Sequence, residues 1–421
     1  MRIYKNELFN KNELIEEEVP NGWSVNKFEN ICSICRGASP RPINKFLTNS
    51  DGIPWIKIGD ATKVSKYIKD TNEYITKEAA KKSRYVYDGD LIVSNSATPC
   101  LPRFVKKTSC IHDGWLLLRD FKGVDKEFLF YIFTIIKEKL KNQGNGSIFI
   151  NLSTDILKNF YIKYPSIEEQ KRIADVLSKQ ESIINKTKDL IEQLDKRNTF
   201  MQDELLSGRL RIKEEDGQVE FYKNPDDNWQ TVLMNNIDYI IPLDWDILSL
   251  EHSDCSMGET ILKSNILTDG EYPVYSATES DKIFGYINNP KKILEIGDLI
   301  ISARGTIGYV KIAKQKCTST QTTIQLKVNE ITPIYLSTVL NNKRADFFPI
   351  SGGAVPQITI SQVKSIKISK PKQEKEIFNI TNIIEKLNDE KEKYEELLIE
   401  EQKKFDFLLE ELMSGRLRIE E

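Results

Sequence analysis

The side chains with the widest chemical range are few in this chain. Cys32 and Cys35 form a CxxC, Cys100 and Cys110 follow, and Cys255 and Cys317 complete six cysteines. Thiolates at 32, 35, 100 and 110 would make a zinc site if the fold gathered them. The second pair, however, lacks the close spacing of a metal knuckle, and both pairs sit in strand-like or loop text. Without a dense, even cysteine framework the thiols are expected to be reduced. Only His112 and His252 are present, too little for a histidine-based acid, base or metal centre. There is no GxxxxGK phosphate loop, no Gly-x-Ser-x-Gly elbow and no His-Glu-x-x-His pair. No residue is assigned a catalytic or metal-binding role.

Cationic and amide side chains on turn-rich text offer another chemistry. Residues 19–165 carry 23 Lys and Arg against 14 Asp and Glu, a balance of +9, while 371–421 carry 9 against 15. A basic module in an otherwise acidic chain suits a phosphate-binding domain joined to a protein-binding element. In the basic module "CRGASPRPINK" supplies Arg36, Arg41 and Lys45. Lys57 follows, and "SNSATPCLPRFVKK" adds Ser94, Asn95, Arg103, Lys106 and Lys107. Further along stand Lys263 and Ser276, then Arg304, Tyr309, Lys311, Lys314 and Lys316 of "SARGTIGYVKIAKQK". Gln321 and Gln357 have the amide that can read an adenine edge. Lys and Arg position phosphates, and loop Arg, Asn, Gln and Ser read bases. Each of these residues is equally at home on a solvated surface, and each glutamine in a buried turn.

Elements must position these groups, and the chain writes its elements twice. "LLSGRLRI" at 205–212 returns as "LMSGRLRI" at 412–419. At the same offset of 207, Ile173 meets Ile380, Leu177 meets Ile384, Ile191 meets Leu398, Phe200 meets Phe407 and Leu205 meets Leu412. Apolar residues recur at three and four, including Ile184, with no Pro or Gly inside, so each segment is expected to be an amphipathic helix. At ~40 residues each would be ~60 Å long and need an equally long partner, most simply its own copy. Gln180, Arg197, Glu390 and Lys391 interrupt the stripe. Gly208 and Gly415 stand where a left-handed helix cap wants glycine.

Fainter repeats precede each helix. Pro20 and Trp23 answer Pro242 and Trp245; "DGDLIVSNSAT" answers "IGDLIISARGT"; "NLSTDILKNFYIKYP" answers "QITISQVKSIKISKP". These are β-branched runs punctuated by DG, GD and GG. The expected fold class is α+β: two similar mixed globules and two long antiparallel, coiled-coil-like helices with internal pseudo-two-fold symmetry. The boundaries are 1–165, 166–218, 219–370 and 371–421, with "KEEDGQVEFYKNPDDNW" read as linker. Duplex DNA has local two-fold axes, so such an arrangement fits a reader of two half-sites.

The order of these motifs resembles the specificity subunit of type I restriction-modification systems. The resemblance rests on Pro20-x-Gly22-Trp23, "GASP", "GDLIVS", "NLS" ahead of "PSIEEQKRIADVL", and "LLSGRLR". In the second half it rests on "GDLIISARGTIGYV", Gln321 and "LMSGRLR", and it covers essentially the whole chain. It implies two target recognition domains, each reading one half of a split double-stranded DNA sequence, with the helices as spacer. The implied partners are two methyltransferase subunits and restriction or motor subunits. S-adenosylmethionine, ATP and Mg would act in those partners and not in this chain, which is expected to be non-catalytic. The chain lacks an Asn/Asp-Pro-Pro-aromatic motif of its own. The alternative is a helical scaffold joining two protein-binding globules.

Three departures from the family pattern set expectations. "SNSATPC" replaces the small-residue and glycine turn kept in "SARGTIGYV", so the first loop is expected to be individual. "PKQEKEIF" replaces "PSIEEQKRI", so contacts through Glu169 and Gln170 are expected to lack a counterpart. The second recognition domain is not basic overall, which throws weight onto local clusters. Leu210 and Leu417 are expected to pack, and Arg209, Arg211, Arg416 and Arg418 to meet a helix end, the opposite helix or a partner. The N-terminal text has no apolar signal core and no run approaches ~18 apolar residues, so a cytoplasmic protein with no membrane segment is expected.

Overall fold

Two compact units emerge in the computed structural model, one of residues up to Thr187 together with Leu397 onward, the other Lys188–Glu396. The structure describes residues 19–49, 51–96, 98–142, 152–215, 218–234, 237–279, 282–327, 329–348 and 357–419.

In the first unit a five-stranded sheet runs Ser33–Arg36, Trp115–Arg119, Leu91–Ser94, Pro102–Val105, Tyr67–Ile68, antiparallel except for the last pair. A second runs Leu47–Thr48, Tyr74–Ile75, Ile53–Ile56, Ser109–Ile111, Arg84–Val86, with Ile53–Ile56 and Ser109–Ile111 parallel. Side chains of a strand alternate between faces. Leu91 and Val93 therefore join Phe104 and Phe128 in one core, and Ile92 joins Trp115 and Leu117 in another. The globule is closed by pairing its first strand, Ser24–Lys27, with its last, Tyr161–Tyr164.

The second unit repeats the frame. Its four-stranded antiparallel sheet runs Cys255–Met257, Thr323–Leu326, Leu299–Ser302, Val310–Ile312. Leu299 and Ile301 face one core and Ile300 another. Tyr272–Tyr275 pairs parallel with Thr318–Ser319, and Trp245–Ser249 closes onto Lys367–Pro371. Much of the segment read as linker, 213–229, instead lies in the antiparallel pair Leu210–Glu215 with Gln218–Lys223, and its last residue opens a second pair, Trp229–Met234 with Ile237–Pro242. The physical signal was present in the sequence: alternating apolar runs on either side of an Asp-Gly pair read as a hairpin.

The long helices are α1, Ile167–Leu206, and α2, Glu374–Ser414. Within the first unit Ile173, Leu177 and Ile184 of α1 are buried with Phe405, Leu409 and Leu412 of α2, and Leu398 packs on the edge. Within the second, Leu205 is buried with Ile380 and Ile384, while Ile191 is half-buried. Rising numbers meet falling ones in each unit, so both halves pair antiparallel. The residues that interrupted the stripe carry the cross-links. Gln180 donates to the Glu401 carbonyl at 3.2 Å, Arg197 pairs with Glu390 at 2.7 Å and Lys391 with Asp195 at 2.5 Å. Asn198 donates to the Leu387 carbonyl at 2.7 Å. An amide that must find one particular carbonyl fixes axial register, as polar residues at apolar positions do in coiled coils.

The repeated "SGRLR" is a clasp. Gly208 and Gly415 take φ of +73° and +76°, and a Cβ on either would overlap the proline ring of the "Pro-x-x-Trp" motif: Pro242 beside Trp245, Pro20 beside Trp23. Three residues on, Arg211 makes a two-pronged ion pair with Glu376 at 2.6 and 2.8 Å, and Arg418 makes the same pair with Glu169 at 2.6 and 2.7 Å. Positions 169 and 376 lie 207 apart, so the expectation that Glu169 has no counterpart is corrected; Glu376 supplies it. Gln170 does lose its equivalent, which is the buried Ile377. The Gln170 side chain accepts from the Asp125 amide at 2.8 Å and donates to the Gly123 and Pro165 carbonyls, so it anchors the globule from within. Arg209 and Arg416 bind carboxylates of their own helix ends. Leu210 packs as expected, but Leu417 is 42% exposed.

Candidate nucleic-acid interface

The loop after the central strand is held by four backbone hydrogen bonds in each unit. In the second, Ser302 N donates to Tyr309 O at 2.8 Å, Gly308 N to Ser302 O at 2.8 Å, Ala303 N to Thr322 O at 2.9 Å and Ile358 N to Ala303 O at 3.0 Å. In the first, Ser94 N donates to Leu101 O at 3.0 Å, Cys100 N to Ser94 O at 3.0 Å, Asn95 N to Gly114 O at 2.9 Å and Leu152 N to Asn95 O at 2.9 Å. The first loop is therefore not individual in its backbone. Cys100 takes the left-handed conformation, φ +62°, that Gly308 takes at +78°. Burial pushes the Cys100 thiol up to about 12, so this cysteine packs and does not react.

This frame explains which candidates are withdrawn from the surface. Ser94 is fully buried, with its hydroxyl donating to the Thr98 carbonyl and accepting from the Leu101 amide. Asn95 is buried and donates to the Asp113 carbonyl at 3.0 Å. Arg103 is buried, donating to the Ala61, Val64 and Pro102 carbonyls, and burial pulls its pKa down to about 10. Lys311 is buried and donates to the Ser276 carbonyl at 2.9 Å and the Thr278 hydroxyl at 3.1 Å. These four are corrected from surface contacts to supports: the same donors that suit DNA also satisfy carbonyls stranded by tight loops.

The remaining candidates of the first unit stay accessible. Arg36 donates through Nε to the Asp113 carbonyl at 2.9 Å, and an Arg41 Nη nitrogen lies 3.7 Å from the Asp113 carboxylate. Ser39 donates to that carboxylate at 2.6 Å; this hydrogen bond holds Asp113 below the usual range despite its partial burial. Asp113 thus gathers Arg36, Ser39, Arg41 and Asn95, an organiser the sequence reading missed. Its signal was the Asp-Gly turn of "IHDGW". Lys45 is exposed in the turn Ile43–Lys45, and Lys107 is exposed. Lys106 lies 4.9 Å over the Tyr67 ring, and Lys57 is half-buried against Glu73 and Trp55. Lys66, also missed, is buried 2.7 Å from the Glu127 carboxylate among the Phe130 and Tyr131 rings.

In the second unit Lys263 and Lys314 are exposed, and Ser276 and Tyr309 are half-buried. Gln321 is exposed, its carbonyl oxygen accepting from the Thr260 hydroxyl at 2.8 Å. Arg304 and Gln357 come together: Arg304 Nε donates to Gln357 Oε1 at 2.9 Å, and both are exposed. Arg344, not singled out in the sequence, pins this loop by donating to the Ile307 carbonyl while pairing with Glu279 at 2.7 Å.

His112, beside the Asp113 cluster, is expected to link the stability of the first unit to pH. His112 accepts from the Gly114 amide at 2.9 Å and lies edge-on to Trp55, and burial pushes its pKa below the usual value although Asp113 pulls the other way. As pH falls through about 6.5 the unfolded chain takes up the proton first, so stability falls with it until the lower folded value is reached. Urea midpoints measured across that range should show this slope, and His112→Gln should flatten it. An undiminished slope in the variant would assign it to other groups.

Among the described residues no helix is long and apolar enough to cross a membrane. The family model described as "Type I restriction modification DNA specificity domain" matches residues 20–196 and 244–400. Over its full length the chain is 26% identical to a putative type I restriction enzyme specificity subunit of Methanocaldococcus jannaschii, covering 99% of that protein. It is 23% identical to an Escherichia coli type I restriction enzyme specificity subunit, over 72% of this chain and 66% of that one. The crystal structure of a type I restriction-modification S subunit from M. genitalium superposes with a TM-score of 0.59 at 15% identity, covering 95% of this chain and 98% of that one. A structure reported for assembly and conformational transition of a type I system gives 0.55 at 17% identity, covering 95% and 99%.

Proposed function

The chain belongs to the type I restriction-modification DNA specificity family and is a DNA sequence-specificity protein with two recognition domains, and on that premise we propose how it works. It reads a bipartite double-stranded target, with residues up to 165 and 219–370 each taking one half-site and 166–218 and 371–421 serving as spacer. The observation that carries this reading is the paired frame: the same four-bond loop and the same clasp in each unit. Arg36, Arg41, Lys45, Lys106 and Lys107 serve the first half-site; Lys263, Arg304, Lys314, Gln321 and Gln357 serve the second.

The family is the recognition component. Adenine methylation and DNA cleavage therefore fall to two methyltransferase subunits and to restriction or motor subunits, which would bring S-adenosylmethionine, ATP and Mg, all in the cytoplasm. Phe200 of α1 and Phe407 of α2 occupy the same repeat position and are 62% and 60% exposed. An exposed phenylalanine at the same repeat position of each helix suits a partner bound twice. Phe200→Asp and Phe407→Asp are each expected to weaken capture of the methyltransferase subunit about 10- to 100-fold, from the ~1.5–3 kcal/mol of burying one phenyl side chain. Capture equal to wild type would place the docking elsewhere.

The test of the whole reading is a methylation map of the host genome with and without this chain. Loss of a split adenine-methylated motif on deletion is expected; persistence of every such motif would favour the scaffold alternative. Replacing 19–165 with the segment of another family member should change one half of the motif only. Lengthening α1 by one turn should alter the gap and leave the half-sites alone.

A further inference from the structure

We infer that Arg304 and Gln357 form a base-reading pair that specifies guanine in the half-site read by residues 219–370. The inference rests on the DNA reading above and deepens it.

The two side chains leave pinned backbones. Ala303 precedes Arg304, Ile358 follows Gln357, and the Ile358 amide donates to the Ala303 carbonyl at 3.0 Å with both residues buried. The far side of the loop is held by Gly308 N on Ser302 O and by Arg344 on Ile307 O. A pair fixed in this way loses little freedom on binding.

The hydrogen bond between them decides what they can read. Gln357 spends its carbonyl oxygen on Arg304 Nε at 2.9 Å. A glutamine reads adenine by pairing one acceptor and one donor with N6 and N7. That bond turns the amide oxygen toward Arg304 and takes one of its two lone pairs, which disfavours the two-point adenine mode, so a guanine reading replaces the earlier assignment of Gln357 to an adenine edge. What the pair presents is chiefly donors: Arg304 Nη1 and Nη2, which make no hydrogen bond or ion pair among the described residues, and Gln357 Nε2. In the major groove guanine alone offers two adjacent acceptors, N7 and O6, whereas adenine and cytosine present a donor and thymine one acceptor beside a methyl group. The corresponding residues of the first half are Ser96 and Asn151, so the two half-sites are not expected to share this base.

The test uses the full chain expressed with its methyltransferase subunit in a host lacking adenine methylation, with modified sites mapped by sequencing. In R304Q and in R304K, which keeps the charge and loses the fork, one guanine of one half-site should become degenerate. Methylation of the original sequence should fall about ten- to hundredfold, the other positions holding. Q357A should relax the same base pair more weakly. The inference is overturned by an unchanged motif in R304K, by an equal loss at every position, the mark of a phosphate contact, or by a change in the half-site that replacing 19–165 alters. If the wild type yields no split motif, the DNA reading itself fails. Arg304 is exposed, and thermal unfolding of each variant shows whether the fold is retained.

Discussion

Arg211→Ala is expected to destabilise the second unit by about 3–5 kcal/mol, because it leaves the Glu376 carboxylate buried without its partner. The Arg211 side chain is 4% exposed and that of Glu376 is 7%. The guanidinium lies over Trp245 and also binds Asp244 at 2.8 and 3.1 Å. Burial alone would lower its pKa, and the hydrogen bonds it donates to Glu376 and Asp244 outweigh that and raise it. The matching change Arg418→Ala should cost less, since that side chain is 39% exposed and water can take its place. Replacing Arg211 and Glu376 together by apolar residues of similar volume should cost much less than either single change. Urea unfolding of the four variants reads all of this; equal costs for Arg211→Ala and Arg418→Ala would contradict the burial argument.

Gly208→Val carries the second large effect. A β-branched residue at φ +73° costs roughly 1–3 kcal/mol in backbone strain. The added Cβ would also overlap Pro242 and press on Trp245, with overpacking worth roughly 1–3 kcal/mol more. Gly415→Val meets Pro20 and Trp23 and should behave alike in the first unit. Gly123 separates the two contributions, since its φ is +66° but a Cβ there meets nothing within 4 Å. Gly123→Val should show the strain alone, and a melting temperature lowered as far as in Gly208→Val would remove the clash from the account.

Much of this was legible in the sequence because periodicity and repetition are properties of the string. The helical stripes, the fixed offset of 207 and the Ser-Gly stop predicted α1, α2 and their antiparallel pairing. What stayed hidden depended on which carbonyls a loop strands. Nothing in "SNSATPC" says that Cys100 adopts a glycine's conformation, or that Ser94 and Arg103 turn inward to satisfy the chain around them. Arg304 and Gln357 lie 53 residues apart, and only the Ala303–Ile358 tie brings them together. The error over Glu169 had another origin: comparing "PKQEKEIF" letter by letter with its copy obscured that its second glutamate holds the position that matters.

The amides of Gln180 and Asn198 grip carbonyls of the opposite helix, and a carbonyl is the same whatever side chain its residue bears. These contacts work as index marks for the other backbone: Asn198 ignores what is written on it, while Gln180 also takes the Glu401 carboxylate. Solvent-facing letters of α1 and α2 other than Phe200 and Phe407 are thereby free to drift, and helices from distant relatives that keep those two should be interchangeable provided the marks keep their places. A shift by a single residue, however mild its letters, would leave both amides without a carbonyl to hold.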